Sequence, residues 1–273
     1  MREADWWGKA AISLLVFTMF FTLMMSETVF AAGLNKDQKR RAEQLRRICE
    51  DGTTEMRYPY VARLDDARPS TCGPAGVTTA TRDGFEVVPV YKQAVANKKL
   101  PNYLAGLRRL EKEASDDTSK LKGPASAWKS LADDKAFRAA QDGVNDQVYY
   151  QPAMERSDNA GLTTALARAV MYHTVRQRGD GDDGDSRYAL IKRTPKGAGG
   201  SPKEGIDEQK CLNKFSHVRY DDLMNGANHD RRDEWRESVG RVHVLRSIAN
   251  QNNYNLNGGI HVRSHEYGNG VIK

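Results

Sequence analysis

The sequence predicts an α+β protein, predominantly α-helical, with one small β region. Three observations carry this. Apolar side chains recur at helical spacing in long tracts between Ala42 and Ile248. One stretch, residues 66–84, is dense in Gly, Pro, Ser and Thr and reads as loops with short strands. With 39% hydrophobic and 29% charged residues over 273 positions, the chain can bury a full core as one large domain or two lobes. That composition excludes a disordered chain.

The N-terminus stands apart from the fold. Arg2 and Lys9 precede an apolar run from Ala10 to Met25, and Val29-Phe30-Ala31 and Phe30-Ala31-Ala32 both fit a small-residue cleavage rule. Residues 1–32 are therefore expected to be a secretory signal peptide, cut near Ala32 or Gly33. The apolar run is short for a membrane span. The protein is expected to be secreted and extracellular, with no membrane association after cleavage. Residues 33–273 contain no repeat and no long linker, so they read as a single domain.

The first helix opens at Asn35, with Gln38 three positions on as a capping box. Ala42, Leu45, Ile48 and Cys49 form its dry side, and Asp51-Gly52-Thr53 its stop. Further helices follow. Leu104, Leu107 and Leu110 mark one. Residues 125–150 carry Trp128, Phe137, Val144 and Val148, and Pro152 interrupts or ends that tract. Residues 162–175 come next, with His173 as a packed or capping residue. Thr194 to Gly200 reads as a loop. Residues 203–224 and 231–248 return to helix, and the Gly-rich tail beyond Asn250 reads as irregular structure.

The formal net charge of +6 is spread along the chain. Without a basic stripe or a reader motif it is a solubility feature, and no nucleic-acid partner is expected. Four aspartates crowd Gly179–Asp185, but an EF-hand starting at Asp180 needs Glu where Ile191 stands. The loop is read as solvated and acidic, and no metal or organic cofactor is expected. Three cysteines, Cys49, Cys72 and Cys211, allow at most one internal bridge. Cys49 and Cys72 flank the turn-rich stretch, as a staple across it or as two buried thiols.

Glu50 closes the first helix and Asp66 opens the turn-rich stretch. Paired carboxylates on facing segments suit general acid and base chemistry. At a helix C-terminus the macrodipole disfavours ionisation, and partial burial acts in the same sense. Glu50 is thus expected to be held protonated, as a general acid requires.

The region from Glu50 to Asp83 resembles the signature of the chitosanases of glycoside hydrolase family 46. The matching residues are Glu50-Asp51, Tyr58, Asp66-Ala67-Arg68-Pro69-Ser70-Thr71, Ala75-Gly76 and Asp83. Downstream, Asp146-Gln147-Val148-Tyr149-Tyr150-Gln151-Pro152, Arg193-Thr194-Pro195 with Gly199-Gly200, and Leu212-Asn213 with Phe215, Arg219 and Asn228-His229-Asp230 are similar to further family elements in the same order. The chain departs from the usual Asp-Gly-Arg-Gly core at Ala67 and Pro69.

The resemblance implies a lysozyme-like two-lobe fold with a substrate cleft between the lobes. It implies an endo-chitosanase that cuts β-1,4 bonds between glucosamine units with inversion. Glu50 would be the acid, Asp66 the base, and Thr71 would position the water. Arg68 would sit beside Asp66, and substrate binding would fall to Asp83, Arg68, Tyr60, His229 and Asp230. Tyr58 and Tyr149 are further stacking candidates. A charge network beneath the acid would pair Asp146 with Arg219, completed by Arg232 or Arg236; an inter-lobe salt bridge is the other reading of those residues. The partner would be chitosan, a polycation drawn to an acidic cleft, and a monomer is the default. Two other readings stay open here: a lysozyme- or chitinase-like hydrolase of N-acetylated polysaccharide, and a non-catalytic polysaccharide-binding protein.

Overall fold

The computed structural model describes residues 33–62, 71–74, 77–78, 82–94, 100–113, 123–178, 187–226 and 232–273. Helix α1 (Lys36–Asp51) begins with the expected capping box, in which Asn35 and Gln38 satisfy each other's backbone N–H. Its apolar stripe of Ala42, Leu45, Ile48 and Cys49 enters a core shared with α7 (Ala165–Arg178), α9 (Glu208–Met224) and α11 (Gly240–Asn250). Leu45, Leu166 and Leu256 are wholly buried there. Each such side chain contributes on the order of 1.5–3 kcal/mol of burial free energy.

After α1 the chain enters a three-stranded antiparallel meander, β1 (Val61–Ala62), β2 (Thr71–Cys72) and β3 (Val77–Thr78). Ala62 faces Thr71, and Thr71 faces Thr78. Next come α2 (Arg82–Ala94), α3 (Leu104–Lys112), α4 (Pro124–Ser130) and α5 (Lys135–Asn145). They build a second apolar cluster from Val87, Tyr91, Leu107, Trp128, Phe137 and Val144, against which Val61 and Cys72 of the small sheet pack. Phe137 anchors it with edge-on contacts to Tyr91 and Trp128, at centroid distances of 5.2 and 4.8 Å. The helical content, the small sheet and the two main cores match the expected fold class.

Pro152 marks an interruption of its tract, one of the two outcomes expected, and does not end it. A π-turn (Asp146–Tyr150) leads into α6 (Gln151–Ala160), so the proline falls at the start of a helix, where its missing N–H costs nothing.

Two expectations are corrected. Residues 194–200 are not a loop: α8 (Arg187–Ala198) runs through Thr194, Pro195 and Gly197. Thr194 Oγ1 donates to Leu190 O at 2.9 Å, and the true turn is confined to Gly199 and Gly200, which both donate to Pro195 O. The C-terminal tail is not irregular either. Strands β4 (Ile260–Ser264) and β5 (Gly268–Ile272) form an antiparallel hairpin that seats Ile260, Val262 and Ile272 in the first core. A short helix, α10 (Arg232–Glu237), precedes α11. Among the described residues no helix is long and apolar enough to cross a membrane, and residues 1–32 lie outside them.

Candidate active site

Glu50 lies in the last turn of α1, where the chain leaves the first core for the second. Gly52 caps the helix at φ 66° and donates to Ile48 O at 3.1 Å. Tyr58 then ties the connecting segment to the second core. Its hydroxyl donates to Asp142 at 3.0 Å, and its carbonyl accepts from Trp128 Nε1 at 2.9 Å. Tyr60 stacks beneath Arg57, 4.5 Å from the guanidinium, and accepts at its carbonyl from Gly73 N at 2.8 Å. Together with Thr53, Met56, Pro59 and Lys129 it lines an open hollow.

Among the described residues, three guanidiniums surround the Glu50 carboxylate. Arg46, one turn back and 1% exposed, donates from Nη1 to Oε2. Arg176 of α7 holds Nε 3.9 Å from Oε2, and Arg241 of α11 holds Nη1 3.8 Å from Oε1. Arg176 also lies over the Tyr149 ring at 4.5 Å and donates from Nη2 to Pro74 O at 3.4 Å, joining the cluster to the turn after β2. The Glu50 side chain keeps 22% exposure, so one edge remains open.

The expectation that Glu50 is held protonated is therefore overturned. Burial pushes its carboxyl up, but Arg46, Arg176 and Arg241 outweigh it and hold the group down at about 2. A helix-end dipole is worth about 0.3–1 kcal/mol. A charge-assisted bond to a nearly buried guanidinium, with two more cations within 4 Å, is stronger. His173 is the packed residue expected: wholly buried, with Nε2 3.2 Å from Ala42 O. Burial, then Arg219 and Arg241, hold it down at about 3, so it stays neutral.

The expected charge network is also corrected. Asp146 does not pair with Arg219. It pairs with Lys39, whose Nζ also lies 4.4 Å from the Tyr150 ring centroid. Lys39 is about three turns along α1 from Glu50, so Asp146 sits at the wrong end of the helix to act on the acid. Arg219 is buried and donates to Gln177 Oε1 at 2.7 Å. Burial, then Arg241 and Arg178, push it down to about 9. Of the two candidate second arginines, Arg236 contacts Asp233 and Met224 O, and Arg232 donates to Gly226 O. The residues around Glu50 are instead Arg46, Arg176 and Arg241, with Glu43 behind Arg46. The i, i+3, i+7 spacing of Glu43, Arg46 and Glu50 was a readable signal. Nothing in the sequence marks Arg176 or Arg241.

Of the other predicted site residues, Thr71 is placed on β2 opposite Ala62 and Thr78, and Asp83 in the first turn of α2, by backbone alone. Asp66, Arg68, His229 and Asp230 lie outside the described residues, as does the acidic loop at 179–185. Among the described residues no three His, Cys, Asp or Glu side chains gather to hold a metal. Cys49, Cys72 and Cys211 are free thiols, so no staple crosses the site. Cys49 belongs to the first core and Cys72 packs on the second. Burial pushes both thiols up, to about 11 and about 12.

The description "Glycosyl hydrolase family 46" belongs to a family model that matches residues 44–260. A chitosanase of Bacillus subtilis (strain 168) is 78% identical over 273 residues, covering 100% of this chain and 99% of the relative. A solved mutant chitosanase from Bacillus subtilis MY002, complexed with 6 GlcN, is 76% identical with a TM-score of 0.81; the match covers 88% of this chain and 100% of that one. A family 46 chitosanase of Gynuella sunshinyii, complexed with chitotetraose, is 35% identical with a TM-score of 0.79, covering 88% and 99%.

Proposed function

The chain belongs to glycosyl hydrolase family 46 and is a glycoside hydrolase of the chitosanase kind, and on that premise we propose that it is a secreted endo-enzyme that cleaves β-1,4 bonds between glucosamine units with inversion. Residues 1–32 serve as its signal peptide and 33–273 as one catalytic domain of two lobes, working as a monomer. The observation that carries the assignment of the acid is the Glu50 carboxylate itself. It is fixed on one oxygen by Arg46 and open along one edge, at the point where the chain passes between the two cores.

In this reading Glu50 protonates the glycosidic oxygen and Asp66 takes a proton from the attacking water on the opposite face. Inversion then calls for a carboxyl separation of about 6.5–9.5 Å, wide enough for that water. Thr71, on the strand that follows Asp66, orients the water. Arg68, Tyr60, Asp83, His229 and Asp230 line the path of the sugar chain, with Asp83 meeting a glucosamine ammonium.

The free enzyme holds Glu50 ionised, so the productive complex is the fraction in which it carries a proton. Substrate that covers its exposed edge removes water from the carboxylate and raises that fraction. The glucosamine oligomers named in the relatives' complexes favour free amines over the N-acetylated substrates of the alternative hydrolase reading.

The test is proton NMR of the first product released from soluble, fully deacetylated chitosan. An α-anomer appearing before mutarotation is expected. A β-anomer would overturn inversion, and no product from this substrate would overturn the substrate assignment.

A further inference from the structure

Among the described residues, one of the three guanidiniums near Glu50 hydrogen-bonds it. Arg176 Nε and Arg241 Nη1, at 3.9 and 3.8 Å, are beyond hydrogen-bond reach, and both atoms are buried without a partner. The rotamer of Glu50 therefore depends on Arg46.

Arg46 in turn depends on Glu43. The two acids and the arginine lie on one face of α1, at i, i+3 and i+7. Arg46 Nε donates to Glu43 Oε2 at 3.0 Å while Nη1 donates to Glu50. Glu43 is buried at 7% exposure, and its second oxygen, Oε1, accepts from the Tyr172 hydroxyl and from Asn145 Nδ2 at 3.2 Å. Asn145 Nδ2 also donates to the Tyr172 oxygen at 2.9 Å, and Tyr172 is wholly buried. Among the described residues, Glu43's hydrogen bonds thus come from enclosed groups on α1, α5 and α7.

We propose that Glu43 is a positioning residue for the acid: it anchors Arg46 and takes up part of its charge, so that Glu50 is held in one place yet can still accept a proton. The proposal rests on Glu50 being the general acid. Without Glu43, the full charge of Arg46 would fall on Glu50, and protonating Glu50 would cost more.

Among the described residues, Glu50 faces Arg46 and Cys49 from α1, His173 and Arg176 from α7 and Arg241 from α11. Glu43 faces Arg46 and Arg47 on its own helix, Asp142 from α5, Tyr150 from the π-turn, and Tyr172 and Arg176 from α7. Asp142 is an acid among these, and it is engaged by Tyr58. Glu43 is the one carboxylate bonded to Arg46 besides Glu50 among the described residues.

The experiment is the pH profile of kcat on soluble chitosan for Glu43→Gln and Arg46→Gln, with thermal melts of each. Activity falls above the pH at which Glu50 loses its proton. Glu43→Gln is expected to move that alkaline limb to lower pH by at least half a unit, with KM within about twofold, and Arg46→Gln to move it to higher pH. A merely structural role would lower Tm without moving the two limbs in opposite directions. If Glu43→Gln does not fold, Glu43→Asp draws the carboxylate back from Arg46 and is expected to shift the limb in the same direction as Glu43→Gln, by less. Activity retained by Glu50→Gln overturns the acid assignment beneath the proposal. An inactive Glu50→Gln beside an unmoved limb in Glu43→Gln, or in Glu43→Asp where that stands in, overturns this inference alone.

Discussion

Arg241 Nη1 lies 3.8 Å from Glu50 Oε1, so α11 closes on the end of α1. The contact is electrostatic and not a hydrogen bond, and it sets the acid's charge environment more than its orientation. Removing Arg241 takes away one of the three cations that favour the ionised carboxylate. Arg241→Met is expected to move the alkaline limb of kcat to higher pH by roughly half to one unit, read from rates on soluble chitosan across the pH range.

Glu50→Gln and Asp66→Asn should each lose at least about a hundredfold in kcat, the usual scale for a removed general acid or base. Reducing-end release measures this. Either variant within tenfold of wild type would refute its assigned role.

The same glutamate links pH to stability. Its folded carboxyl sits at about 2 against an ordinary 4.5. A depressed acid stabilises the fold fully above its unfolded value, and that contribution fades as pH falls through the folded one. Wild type is therefore expected to melt a few degrees above Glu50→Gln at pH 6, with the gap unchanged up to pH 7 and closing progressively between pH 4.5 and 2.

Asp222 is wholly buried on α9 and receives two guanidiniums, Arg178 Nη2 at 2.6 Å and Arg193 Nη2. It joins α7, α8 and α9. Breaking a buried pair from one side leaves uncompensated charge, so Asp222→Ala should cost about 3–5 kcal/mol. Urea denaturation with the slope unchanged would verify it.

Gly73 follows β2 at φ 66°, and a Cβ there would meet Gln141 Oε1 at 2.3 Å and Trp128 at 3.1 Å. Gly73→Ala should lose about 1–3 kcal/mol through strain and overpacking. Because the turn carries the carbonyl of Pro74 that Arg176 reaches, kcat should fall with it. A variant as stable and active as wild type would show that the turn relaxes freely.

The sequence by itself determined the local parts of this protein. The capping box at Asn35 and Gln38, the stripe of Ala42, Leu45 and Ile48, and the position of Glu50 in the last turn of α1 all follow from spacings of three or four residues, which backbone geometry makes legible. Where short-range signals conflicted, the reading failed. Pro195 and Gly197 signal a loop, yet packing keeps them in α8. The alternation of Ile260 and Val262 was masked by flanking glycines, yet the first core needed those side chains and made a hairpin of them.

Only the tertiary structure decided the state of the acid. A helix end alone would leave Glu50 protonated more readily. Arg176 and Arg241, from α7 and α11, reverse that. Such charges act through space at distances of a few ångströms, and no periodicity in the chain records which of its 42 basic residues will arrive there.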